Sequence, residues 1–177
     1  MTAIETKRLR LVAATLDTLA AEGEGREQLS ALLGAEVPEW PPPLNDEESR
    51  QFWISRLTGG PDLVGWVAWY FVRSEADSPR TVIGNGGFKG KPSADGVVEV
   101  GYSLFPQFQH RGYATEAVGA LIDWAFAHAN VRSVVAETYP ELVASIAVLQ
   151  RLGFTPTSES SEPGVIRFAK EGRTAQS

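Results

Sequence analysis

Between Val97 and Ala127 the hydrophobic period of the chain changes from that of a strand to that of a helix. Val97 to Leu104 reads as an extended segment, whereas Ala114, Ala117, Val118, Leu121, Ile122 and Ala125 recur at helical spacing. The junction is Gln109-His110-Arg111-Gly112-Tyr113-Ala114. A glycine at such a turn lets backbone approach a ligand closely. The unpaired N–H groups of the first helical turn then face outward, carrying about half a positive charge. Arg111 adds a permanent cation whose donors can fork onto phosphate oxygens. The junction therefore predicts a seat for a pyrophosphate, and so for a phosphate-bearing cofactor.

The rest of the chain fits a single domain around that junction. With 177 residues and 43% hydrophobic composition, it is long enough to bury about 70% of its unfolded surface in one core. Leu9 and Leu11 alternate with Arg8 and Arg10 in a first strand, and Thr15 and Asp17 start a helix. Val37 to Pro43 contains three consecutive prolines after Trp40 and reads as a stiff extended loop. Asn45-Asp46 caps a helix to about Leu57, ended by Gly59-Gly60-Pro61. Three strands follow as an antiparallel meander, Val64 to Val72, Thr81 to Phe88 and Val97 to Leu104. After the helix Ala114 to Ala127 come a strand from Ser133 to Thr138 and a helix from Glu141 to Leu152, closed by Gly153-Phe154. A pair at Thr155 to Glu159 and Val165 to Ala169 completes the domain, and Glu171 to Ser177 reads as a frayed tail. Gly84-Asn85-Gly86-Gly87 is a bulged strand and not a nucleotide loop, because no helix follows it.

Composition removes several chemistries. The chain has no cysteine, which excludes disulfides, thiolate metal sites and a cysteine nucleophile. With two histidines it is poorly supplied for zinc, and no metal is expected. The polar N-terminus lacks a signal-peptide core, and the most apolar stretch, Leu63 to Val72, is about half a membrane span, so a soluble cytoplasmic protein is expected. A net charge of −6 argues against nucleic acid and membrane as partners. An anionic cofactor would need local positive potential from Arg111, His110 and Lys89.

Three groups of residues carry a resemblance: Glu99-Val100-Gly101-Tyr102; Gln109-His110-Arg111-Gly112-Tyr113-Ala114-Thr115-Glu116-Ala117; and Pro140-Glu141 with Ala144-Ser145-Ile146 and Val148 to Phe154. Together they resemble the GNAT superfamily of acyl-CoA-dependent N-acetyltransferases, in the branch of ribosomal-protein N-terminal alanine acetyltransferases. The resemblance spans Ile4 to Lys170 and implies an α/β (α+β) fold, with a mixed, mostly antiparallel sheet of about seven strands, splayed in the middle and flanked by helices. It implies acetyl-CoA as acetyl donor, with Gln109, His110, Arg111, Gly112, Tyr113, Ala114 and Thr115 cradling the pyrophosphate. Tyr102, Ser103 and Leu104 would pair with the pantetheine arm, and the thioester would enter the gap between the strands at Val97 to Leu104 and Ser133 to Thr138. Two positions depart from the family: Leu142 stands where Asn usually contacts the pantetheine, and Ala147 where Arg is usual.

Attack of an amine on a thioester needs a neutral amine, a stabilised oxyanion and a proton for the departing sulfur. At pH 7 an α-amine needs about 1 kcal/mol to become neutral and a lysine about 4–5 kcal/mol. Glu99 is the first candidate base, because it interrupts Val98 and Val100 with a carboxylate, and Glu137 across the gap is the second. Ser145 matches the family's serine near the sulfur and is the candidate acid. Trp40, in the proline loop, is the candidate acceptor contact. The branch suggests a protein N-terminus as acceptor; a small amine such as an amino acid, polyamine or aminoglycoside is the alternative. A homodimer is left open. Leu142 keeps a rival in view, a non-catalytic acyl-CoA-binding module, and an interaction protein without cofactor would require the pyrophosphate loop to be coincidence.

Overall fold

A computed structural model of the chain describes residues 1–172. In chain order the strands are β1 (Ala3–Glu5), β2 (Leu9–Ala13), β3 (Ala68–Arg73), β4 (Thr81–Phe88), β5 (Val97–Leu104), β6 (Ser133–Thr138), β7 (Thr155–Pro156) and β8 (Ile166–Glu171). The helices are α1 (Leu16–Glu24), α2 (Arg26–Leu33), α3 (Glu47–Gly59), α4 (Tyr113–Phe126) and α5 (Val143–Arg151). The strands form one open sheet of eight in the order β1-β2-β3-β4-β5-β6-β8-β7. Neighbours are antiparallel except β5 and β6.

That parallel pair is where the sheet opens. β5 and β6 meet only at Val97 with Ser133, Val98 with Val134 and Glu99 with Val135. Beyond Glu99, the pairing of β5 continues with β4 alone and that of β6 with β8 alone. The sheet therefore splays from a vertex at Glu99, leaving the far edge of Val100 to Leu104 without a strand partner.

Side-chain alternation assigns the two faces. One face packs Trp69, Phe71, Val98, Val100 and Leu104 against Ala117, Val118 and Leu121 of α4. The other packs Val12, Tyr70, Val72 and Val82 against Leu19, Leu29 and Leu57 of the first three helices. Local signals set the helix ends: Thr15 and Thr18 form a reciprocal cap on α1, and the Ser49 N–H donates to the Asp46 carboxylate at 2.9 Å on α3.

Several boundaries differ from the sequence expectation. The sheet has eight strands and not about seven, because the chain turns at Thr6, whose N–H bonds Leu9 O at 2.8 Å, and pairs Ala3 to Glu5 with β2. Gly25, at φ 137°, divides the first helical region into α1 and α2. The expected strand at Val64 begins at Ala68, since Gly65 at φ 90° continues a turn in which Trp66 N–H reaches Leu63 O. A turn closed by Leu142 N–H on Tyr139 O at 3.0 Å delays α5 to Val143. β7 is only two residues, and the chain leaves the ladder after Thr157, whose N–H still reaches Arg167 O at 2.8 Å. Glu171, expected in a frayed tail, ends β8; positions 173–177 of that tail lie outside the described residues.

Gly84 to Gly87 does lie in a strand, with a register shift opposite Phe71 and Val72. The glycines there answer close backbone approach. A Cβ on Gly87 would stand 1.7 Å from Val67 O, at φ 149°, and one on Gly84 would stand 2.2 Å from Ser103 O.

Candidate active site

On the α4 side of the splayed sheet, a cavity of about 570 Å³ runs between β5, the first turn of α4 and α5. Gln109, His110, Gly112, Ala114 and Thr115, expected from the sequence to cradle a pyrophosphate, line it, as do Tyr102, Ser103 and Leu104 of β5. Gly112 takes φ 81° as the N-cap of α4, a conformation that glycine supplies without Cβ strain, and His110 beside it is at φ 58°. The N–H of Glu116 is bonded to Gly112 O at 3.1 Å; the N–H groups before it are the orphan donors of the helix start.

The loop is held from below. Arg8 donates through Nε to Glu116 and through Nη1 to Arg111 O, at 2.7 and 2.9 Å, and its backbone N–H adds a 2.7 Å bond to the same carboxylate. Burial opposes ionisation of Glu116, but bonds from Thr6 and Arg8 outweigh it and hold the carboxyl below its ordinary range. Arg111 itself and Tyr113 are not brought to the cavity wall. Tyr113 is buried, with its hydroxyl donating to Glu75 at 2.9 Å.

The opposite wall is α5, where Ser145 sits with Ala144, Ala147 and Val148. The Tyr102 hydroxyl donates to Ser145 O at 3.3 Å, and burial pushes the Tyr102 pKa up to about 12. Arg151, Phe108 and Leu44 also line this space. The sequence reading missed all three. Arg151 could have been found by helical spacing, since it lies four residues beyond Ala147 and so on the same helix face; Leu44, held at φ 65° in the proline loop, gave no such signal.

Glu99 and Glu137 lie on the other face of the sheet, away from this cavity wall. Glu99 pairs with Lys89 at the vertex of the splay. Glu137 accepts from Ser161 N–H at 2.7 Å and from the Ser161 hydroxyl, with Arg167 at 3.5 Å. Burial works against its ionisation, yet Ser161, Arg167 and Lys89 together lower its pKa. Between Glu99 and Ser103 the backbone of Gly101 is exposed, and a Cβ added there would meet nothing within 4 Å. β5 thus offers bare backbone to this second face.

Trp40 sits over the same face but further along the sheet. Its Nε1–H donates to Glu22 at 3.0 Å, and its ring lies 5.6 Å from that of Tyr70. The proline loop it belongs to is fastened to β5 by the Ser103 hydroxyl, which donates to Pro43 O at 2.5 Å.

The cavity fits a long phosphate-bearing ligand. The Thr115 hydroxyl oxygen is buried without a hydrogen-bond partner at the wall, beside the orphan N–H groups of α4, and Arg151 supplies a cation to the same space. No group of His, Asp or Glu able to hold a metal ion occurs among the described residues, and none of their helices is long and apolar enough to cross a membrane.

Known proteins resemble the chain in sequence or in fold. The uncharacterized N-acetyltransferase YjdG of Bacillus subtilis is 28% identical over 165 residues, covering 92% of this chain and 95% of its own. The ribosomal-protein-S5-alanine acetyltransferase of Vibrio fischeri superposes with a TM-score of 0.65 at 21% identity, covering 100% of both chains. The ribosomal L7/L12 α-N-protein acetyltransferase RimL, solved in complex with coenzyme A, gives a TM-score of 0.66 at 21% identity over 96% of this chain and 98% of its own. Residues 9–155, which contain the splayed strands, the α4 loop and α5, match the acetyltransferase (GNAT) domain, and the chain belongs to that family of acetyltransferases.

Proposed function

We propose that the chain binds acetyl-CoA in the cavity beside α4 and transfers the acetyl group directly to a primary amine that arrives from the opposite face, with a protein N-terminal α-amine as acceptor. The observation that carries this reading is the opening between β5 and β6. It has the anion-binding turn of α4 on one side and the bare backbone of Gly101 on the other. Two reactants entering from opposite faces can bring the amine onto the face of the acyl carbonyl, as direct transfer requires.

Acetyl-CoA, when bound, supplies an activated acyl carbon and a sulfur leaving group. The chain's own groups do the rest. The α4 amides, the Thr115 hydroxyl and Arg151 hold the phosphates, and the unpaired edge of Val100 to Leu104 offers donors and acceptors to an extended arm. Glu99 flanks the acceptor side of the opening and takes a proton from the incoming ammonium, directly or through water. Ser145 stands at the cavity wall, at the position of the family's serine near the sulfur, where its hydroxyl would relay to the departing sulfur the proton that the attacking nitrogen gives up. With no cysteine in the chain, a ping-pong path through a thiol acyl-enzyme has no nucleophile.

The α-amine acceptor is supported by the names of the two ribosomal-protein acetyltransferases and by the lower cost of neutralising an α-amine. The test is release of CoA thiol from acetyl-CoA across peptides beginning with Ala, Ser and Met and across small amines. Turnover confined to peptides supports the reading. Turnover confined to small amines replaces the acceptor, and binding of acetyl-CoA with no turnover in either panel leaves a binding module.

A further inference from the structure

We infer that Glu22, Tyr70 and Trp40 form a recognition site for a second, non-reacting ammonium group on the acceptor. The inference rests on the acetyltransferase reading for what the acceptor is. Beneath the proline loop, a void of about 20 Å³ is walled by Glu22, Trp40, Trp53, Trp69, Tyr70 and Asn85. That is room for one water-sized head group.

The carboxylate in this chamber lacks a cation. Glu22 accepts from the Tyr70 hydroxyl at 2.5 Å and from Trp40 Nε1–H at 3.0 Å, one donor on each oxygen, which leaves further lone pairs free. Arg50 also borders the chamber, but its guanidinium is committed elsewhere: Nε and Nη2 bond Glu47, and Nη1 donates to Leu19 O at 2.9 Å. Among the described residues no ion pair forms at Glu22. Asp46 and Glu47 lie close by, so acidic groups outnumber the one arginine. Burial raises the pKa of Glu22 from its usual value, against the opposing pull of those bonds and of Arg50, as expected of a carboxylate short of a counter-ion. A protonated amine supplies what is missing, a compact cation with three donors, and the Trp40 and Trp53 rings at the chamber wall offer it π faces.

The chamber and the opening share one face of the sheet. Tyr70 pairs with Asn85, Asn85 with Ser103, and Gly101 lies two residues before Ser103 on β5. At strand spacing, the bare backbone of Gly101 is about 8 Å from the Asn85 wall and about 12 Å from Tyr70. A linear chain carrying amines at both ends can place one over Gly101 while the other reaches Glu22. The acceptor class assigned is therefore an amine with a second ammonium group at such a distance, either a diamine or a peptide with a lysine close to its first residue.

The probes are diaminooctane and octylamine, which differ only in the second ammonium. Their binding to the CoA-loaded protein, followed by calorimetry, reads the site without turnover. The expected result is at least about tenfold tighter binding of the diamine to the wild-type protein, lost in Glu22→Gln with little change for octylamine. Equal binding of the two amines to wild-type protein would overturn the assignment, and that comparison holds even if the variant fails to fold. A diamine that binds selectively, while neither it nor any peptide is acetylated, would leave the ammonium site standing and sink the transferase reading instead.

Discussion

The Tyr102 hydroxyl donates to the carbonyl of Ser145 at 3.3 Å, so a side chain of β5 fastens α5 across the cavity at the level of the candidate acid. Removing that hydroxyl with Tyr102→Phe should cost about 1 kcal/mol, which corresponds to a fall of about 2–4 °C in Tm. Since the phenol titrates only at about 12, it stays neutral through any ordinary assay range. The pH–rate profile of the variant should therefore keep the wild-type shape; a lost basic limb would assign Tyr102 a proton-transfer role instead.

Thr115→Val removes a buried hydroxyl that has no partner in the protein. Stability without ligand should be unchanged or slightly higher, because an unsatisfied group is deleted. Affinity for acetyl-CoA should fall by about two- to tenfold if the hydroxyl bonds a phosphate. Equilibrium binding and a thermal melt on the same preparation separate the two effects.

Glu116 gives the cofactor loop a pH-dependent anchor. Its folded pKa is depressed by the Thr6 and Arg8 bonds, which prevail over burial. The stability it contributes is present above the unfolded carboxyl value, about 4.3, and is lost as pH falls through the lower folded value. A Glu116→Gln protein should be destabilised near neutrality by about 1–3 kcal/mol, and its deficit should shrink in acid as wild type loses the same interaction. Denaturant titrations at several pH values would show the two curves converging; a constant gap would refute the anchor.

Gly87→Ala should be among the most damaging single changes, since its Cβ would stand 1.7 Å from Val67 O at φ 149°. We expect a loss of at least about 2 kcal/mol, or about 4–8 °C in Tm. Gly101→Ala, on a neighbouring strand with open space around it, is the control and should melt near wild type.

Glu99→Gln should lower kcat by about a hundredfold with the KM for acetyl-CoA little changed, as removal of a general base does. Glu137→Gln should leave kcat close to wild type, because that carboxylate is occupied by Ser161 and Arg167. The reverse pattern in steady-state kinetics would exchange the two roles.

Where turn-rich segments bound an apolar run or one helical period dominates, the sequence was a good guide: β4, β5 and β6 begin and end where expected, and α4 lies within one residue of its apolar stripe. The misplaced boundaries have a common cause. At Val64 and at Glu141 apolar or helix-compatible residues sit in turns closed by backbone bonds three residues apart, which periodicity does not register. The α4 loop was legible because glycine at a positive φ and a helix start are local properties. Glu22 was not, since its significance lies in Tyr70, 48 residues away, and in Trp40, 18 residues away. The same holds for the facing direction of Glu99, which depends on strand register.

The short β5–β6 junction divides the sheet into two half-sheets whose union depends on more than backbone bonds. Val98 on one half and Val134 on the other share a single apolar cluster with Ala117, Val118 and Leu121 of α4. The helix works as a splint, and the aperture between the halves follows from the volumes of side chains along its inner stripe. Width at the proposed reaction centre would thus be governed by residues outside the cavity wall. Exchanging methylenes within that stripe offers a route to retune which acyl groups pass, leaving every reacting group in place.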